Sequence, residues 1–245
     1  MPQTLLRTLR ILLAASLASA CSRSGGTPSS NAAQKPAATA VPTAAANASA
    51  DGILATAVPQ GGLNEQADHG RILGDSTAKV WVVMASDFQC PYCKTWHDAA
   101  FQQLMKTYVN TGRVRLAFLN MPLSMHQNAV PASEAAMCAS VQNKFWPMHE
   151  ALFATQAKWE VLPDPVPLFD SLATTYKVDM GPWRQCMSQH AIRPLIQADH
   201  DRASSSGVNS TPTFFVDGQR FSGADANLAP AIEAALAKNA KKPTS

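Results

Sequence analysis

The sequence predicts an α/β fold: a strand–helix–strand start, a long helical insertion, and a strand–turn–strand–helix close. Three observations carry this. Val80 to Met84, VWVVM, is a short apolar run rich in β-branched residues and reads as a buried strand. The stretch that follows Cys90 and Pro91 repeats Phe101, Leu104, Met105 and Tyr108 at three- and four-residue intervals, the spacing of one helix face. Thr213 to Val216, TFFV, runs into Asp217-Gly218, a strand entering a tight turn.

The chain opens with residues 5–17, LLRTLRILLAASL, in which Arg7 and Arg10 precede a short apolar run. With Ala18-Ser19-Ala20 next, residues 1–20 are expected to be a secretory signal, the apolar run being about half of the ~20 residues that cross a bilayer. Cys21 stands directly after the expected cut and resembles the lipidated cysteine of bacterial lipoproteins, although Ala18 stands where that pattern prefers a large aliphatic residue. Residues 21–63 are dominated by Ala, Pro, Ser, Thr, Asn and Gly, too poor in bulky apolar groups to offset ordering entropy, and are expected to be a disordered tether. The folded domain is expected over 64–240.

The formal charge is +3, of which Arg7 and Arg10 leave with the signal. A near-neutral remainder without a basic stripe gives no electrostatic case for nucleic acid. No P-loop, dinucleotide fingerprint or nucleophile elbow occurs, so neither a cofactor nor hydrolase chemistry is expected.

Arg113 to Leu119, RVRLAFL, reads as the second strand. Helices are then expected over Ala129 to Val141, Trp146 to Gln156, Leu168 to Tyr176, Trp183 to Ser188 and Pro194 to Ser206, within an insertion at about 125–207. Gln219 to Ser222 reads as a returning strand and Ala224 to Lys238 as a closing helix.

Chemistry concentrates in SDFQCPYCKTWH, Ser86 to His97. Thiol–disulfide exchange needs a thiolate, and a cysteine at a helix N-terminus meets unpaired N–H groups and the positive end of the helix dipole. Cys90 stands there because Pro91 fits the first helical position, where its missing N–H costs nothing. Cys93, one turn on, is within reach to attack a mixed disulfide. Zinc wants four ligands and no second C-x-x-C or H-x-x-x-H completes a set, so no metal is expected. A crosslink closing so short a loop stabilises little. Redox exchange is the reading kept.

Cys138 and Cys186 lie on two predicted helices of the insertion and are expected to form a structural disulfide, the alternative being two separate buried thiols. His97 shares a helical face with both cysteines and is a thiol-tuning candidate, against the commoner packed histidine. His126, His149, His190 and His200 have no evident ligand-type partners.

Four segments, in this order and spacing, resemble the DsbA-like branch of the thioredoxin superfamily over most of residues 70–238: DFQCPYC with Trp96 and His97, GRVRLAFLNMPL with His126, AAMCASVQNKFWPMHEALF, and VNSTPTFFVDG. The resemblance implies a thioredoxin fold with a helical insertion between the second strand and a cis-proline strand. It implies Cys90 as attacking thiol, Cys93 as resolving thiol, and Thr211-Pro212 as a cis-proline turn whose main chain pairs with substrate. Two departures stand out. Met84 occupies the position, six before Cys90, where relatives often carry an acid, and Ser210 stands where glycine is common.

Pro91 and Tyr92 between the cysteines are the other tuning candidates. Tyr92 replaces the histidine of strongly oxidising relatives and cannot stabilise the thiolate as a cation. The expected activity is therefore protein thiol–disulfide exchange. It is read foremost as dithiol oxidation, with a reductase or isomerase and a non-catalytic peptide-binding module as the alternatives. The expected partners are substrate proteins bearing thiols or disulfides and a membrane protein that recycles the cysteine pair. The expected place is the periplasm, at a membrane through the lipid anchor alone.

Overall fold

The computed structural model describes residues 62–241. The expected signal (1–20), the lipidation site Cys21 and nearly all of the tether (21–63) lie outside the described residues. Among the described residues no helix is long and apolar enough to cross a membrane.

Helix α1 (Leu63–Gly70) and a two-residue strand β1 (Ile72–Leu73) precede β2 (Val80–Ser86). Helix α2 spans residues 91–109 as α-helical Pro91–Trp96, a π-helical turn His97–Phe101, α-helical Gln102–Leu104 and a second π-helical turn Met105–Val109. After β3 (Val114–Asn120) comes the insertion: α3 (Ala129–Ser140), α4 (Phe145–Ala154), α5 (Gln156–Trp159), α6 (Val166–Thr175), α7 (Met180–Ser188) and α8 (Arg193–Ser205). Strands β4 (Thr213–Val216) and β5 (Gln219–Ser222) and helix α9 (Ala229–Ala240) close the chain.

The five strands form one sheet in the order β1-β3-β2-β4-β5. β2 and β3 are parallel, which requires the α2 crossover between them, and the other neighbours are antiparallel. β2 is central and covered on both faces: Val82 and Met84 join one apolar cluster, Val83 and Ala85 the other, as the two-residue strand period dictates. The first cluster lies under α2, α3, α4 and α9, with Trp96, Phe101, Phe118, Phe145 and Ile232 among its members; the second includes Ala203 of α8. β3 is likewise buried on both faces beyond Arg115, so its reading as an alternating strand holds only at its start.

The β4–β5 turn places Asp217 at φ 45° and Gly218 at φ 82°, the left-handed pair that a two-residue hairpin turn demands. α1 and β1 have no counterpart in the sequence reading, which takes Val80 to Met84 as its first element. α1 is held by close approach instead: a Cβ on Gly70 would collide with Ser140, whose hydroxyl donates to the Ala67 carbonyl at 2.6 Å.

Candidate functional site: the Cys90–Cys93 helix start

β2 carries the chain through Ser86 into a turn closed by the Cys90 amide, which donates to the Asp87 carbonyl at 3.2 Å. Cys90 is the N-cap of α2, in extended conformation, with Pro91 at the first helical position. Its carbonyl accepts from Lys94 N at 3.2 Å and from Gln156 Nε2 at 3.2 Å, the same side chain also donating to the Phe88 carbonyl at 2.7 Å. One short helix of the insertion thus ties down the turn that carries Cys90.

The two cysteines are free thiols, 3% and 2% exposed, with Cys93 one turn into the helix. The Thr211–Pro212 peptide bond is cis, and Cys90 Sγ donates to the Thr211 carbonyl at 3.5 Å. Asp87 N donates to Cys93 Sγ, also at 3.5 Å. Residues 121 apart in sequence therefore face one another across the first thiol.

The electrostatics separate the pair. A hydrogen bond from the Cys93 thiol lowers Cys90 to about 6; burial opposes this, while Thr211 and the N–H groups of Cys93 and Tyr92 assist it. Burial pushes Cys93 well up, and the adjacent Cys90 charge adds to that, against donors from Asp87 N and Ser86. At neutral pH the arrangement holds a thiolate at Cys90 beside a protonated thiol at Cys93, the division that exchange chemistry uses.

The remaining tuning candidates divide. Tyr92 is 65% exposed and acts on Cys90 through its backbone N–H. His97 turns away toward the insertion: Nε2 donates to Glu150 at 2.9 Å and Nδ1 to Asp98 at 3.1 Å. Burial lowers its pKa, but the bonds and charges of Glu150 and Asp98 outweigh burial and raise it, so the ring stands between two carboxylates that favour its protonated form. Cys138 and Cys186 are bonded to each other, with Cα atoms 5.8 Å apart, linking α3 to α7.

Three histidines read as lacking partners have them: packing brings His126 and His190 against distant segments, and His149 meets its neighbour Glu150. His149 is fully buried, with Nδ1 3.3 Å from Glu150 Oε1. With His97 it forms a His–His–Glu group whose ligand-type atoms lie within 4.8 Å of one another, and Glu150 Oε1 already accepts from both rings. His190 meets Glu134 at 2.9 Å. His126 meets Asp87 at 2.7 Å. The sequence reading also passed over Asp87 and Gln156; only Asp87 left a trace, as a lone acid three residues before Cys90 in an apolar strand end.

A family model described as Thioredoxin matches residues 66–234. The chain belongs to the thioredoxin family. Within the thioredoxins its similarity runs to disulfide-handling proteins. It is 27% identical over 169 residues to a probable disulfide bond formation protein D of Bacillus anthracis, covering 68% of this chain and 78% of that one. Oxidised BdbD from Bacillus subtilis superposes with a TM-score of 0.62 at 25% identity, covering 69% of this chain and 94% of BdbD. Another relative is the Na(+)/H(+) antiporter NhaA 3 of Salinispora tropica, 34% identical over 174 residues that cover 71% of this chain and 24% of the antiporter. The chain spans about a quarter of that protein's length.

Proposed function

We propose that this thioredoxin-family protein is a thiol–disulfide oxidoreductase that oxidises dithiols of substrate proteins. One observation carries the reading: a Cys90 thiol lowered to about 6 at a helix start, facing the Thr211 carbonyl, with Cys93 behind it as a raised thiol. The disulfide bond formation proteins among its relatives support the same chemistry.

In the forward reaction a substrate thiolate attacks Cys90 Sγ, the Cys90–Cys93 bond breaks, and Cys93 leaves as a thiolate that takes up a proton. A second substrate thiolate then attacks the substrate sulfur bonded to Cys90, forming the substrate disulfide and expelling Cys90 as a thiolate. Two electrons reach the cysteine pair, and substrate keeps the disulfide. A low pKa makes Cys90 a good leaving group, which favours this direction. The cis-proline turn at Thr211 and Pro212 is the substrate-facing edge, pairing main chain with an extended segment.

Export through residues 1–20, anchoring at a lipidated Cys21, a periplasmic location and reoxidation by a membrane partner belong to the same proposal. The test is a redox titration of the purified protein in glutathione buffers beside a dithiol oxidation assay. A potential toward about −120 mV, the reference value of DsbA itself, supports oxidation; one toward about −270 mV, that of thioredoxin, reassigns the protein as a reductase. Cys90→Ser is expected to abolish exchange, and retention of exchange rejects the site. Cys21→Ser in cells is expected to keep exchange and move the protein from the membrane to the soluble fraction.

A further inference from the structure

Cys93 must be a thiolate at both of its steps, leaving when substrate attacks Cys90 and attacking when a mixed disulfide is resolved. Cys93 is 2% exposed, within the apolar cluster that also holds Met84 and Cys90, where a charge is costly. The Asp87 amide, 3.5 Å away, is aimed at it.

What aims that amide is a second, unassigned group. The Asp87 side chain is fully buried, yet its carboxylate takes three hydrogen bonds: Gln89 N at 2.7 Å, Leu123 N at 2.9 Å and His126 Nδ1 at 2.7 Å. Two of the three come from the loop after β3, more than thirty residues on. The same residue's carbonyl accepts from the Cys90 amide. Asp87 therefore touches each cysteine through its main chain, while its side chain is bolted to a different loop. A buried carboxylate survives only when so paired, and losing one partner exposes the full desolvation cost of the other.

We propose that Asp87 and His126 are positioning residues for Cys93: their buried carboxylate–imidazole pair holds the Asp87 N–H on the Cys93 sulfur and so sets the rate of mixed-disulfide resolution. The inference rests on the reading of Cys90 as attacking and Cys93 as resolving thiol. Cys90 draws its own donors from the Cys93 thiol and the N–H groups of Cys93 and Tyr92, so its attack does not depend on the pair.

The experiment is rapid-quench mass spectrometry of the reduced full-length protein mixed with glutathione disulfide. Cys90 thiolate attacks and expels one glutathione thiolate; Cys93 thiolate then attacks the Cys90 sulfur and expels the second, leaving the Cys90–Cys93 disulfide and two reduced glutathiones. In Asp87→Asn and His126→Phe the first step is expected within about two-fold of wild type. Resolution is expected to fall about ten-fold or more, with glutathionylated Cys90 accumulating, as for loss of a hydrogen bond to a charged group. His126→Asn, which returns a donor near the Nδ1 position, is expected to recover most of the rate. Resolution at the wild-type rate in both Asp87→Asn and His126→Phe overturns the inference. So does an equal fall in both steps that His126→Asn does not repair, since that is general loosening of the turn. A wild-type protein that forms no mixed disulfide overturns the Cys90–Cys93 reading itself, an outcome distinct from either.

Discussion

Single titratable residues behind the cysteines set how this protein answers to pH. Burial holds His149 down to about 4, helped by the charge of His97 and opposed by Glu150. A depressed folded-state pKa means that the unfolded chain binds the proton first as pH falls. The His149 contribution is therefore complete above the unfolded value of about 6.5 and is lost as pH drops toward 4, on the order of 3 kcal/mol. His97, raised by Glu150 and Asp98 against burial, has the opposite sign: its contribution is present below about 6.5 and is lost as pH rises through its folded value. Urea unfolding at pH 7 and pH 4.5 separates them. His149→Phe, which suits a ring surrounded by Phe88, Phe101, Phe118 and Phe153, is expected to lose less stability on acidification than wild type. Equal acid losses in the two proteins reject the assignment.

At the scale of elements, the start of α2 serves structure and chemistry with the same atoms. Pro91 begins the helix, and the N–H groups left free at that start stabilise the Cys90 thiolate. Further along, the π-helical turn beginning at His97 carries that histidine toward α4 and Glu150. α3 is buried at ten of its twelve positions, which its Ala-rich composition permits, and the Cys138–Cys186 bond ties it to α7 across 48 residues. In the chain-entropy account a loop of that length is worth roughly 4 kcal/mol. The double variant Cys138→Ala, Cys186→Ala is expected to lose about that much in chemical denaturation while still exchanging disulfides at Cys90. A loss below about 1 kcal/mol contradicts a structural role.

The whole domain is locked by a buried ionic group that joins its first and later segments. Arg71, 1% exposed, pairs with Asp68 of α1 and with Asp199 of α8, where Nη2 donates to Oδ1 at 3.0 Å. Asp199 also accepts from Asn120 N at 3.1 Å and Nδ2 at 2.8 Å, so α1, β3 and the insertion meet at one carboxylate. Burial opposes the Arg71 charge, and the two aspartates more than restore it. Arg71→Leu leaves Asp199 buried without its cation and is expected to cost about 3–5 kcal/mol, read as a fall in the urea midpoint. Replacing Asp199 with Leu as well is expected to recover part of that loss, and a double variant as unstable as the sum of the singles rejects the pairing as its cause.

The sequence by itself determined what local chemistry decides. The β-branched run of β2, Pro91 after Cys90, the cysteine spacing and Asp217-Gly218 before β5 each act over a few residues, and the neighbouring residues suffice to read them. The helical insertion was legible in the same way, to within a few residues at each end. Tertiary structure alone decided which distant groups meet: Thr211 with Cys90, His126 with Asp87, Glu150 with His97, Asp199 with Arg71. These pairs lie 39 to 128 residues apart, so no local pattern encodes them. They form because burying the apolar faces of α3, α4 and α8 against the sheet carries polar side chains inward, where each must find a partner. Residues 64–79 escaped reading for the same reason, since Arg71 with Asp199 and Gly70 against Ser140 tie them to residues far along the chain.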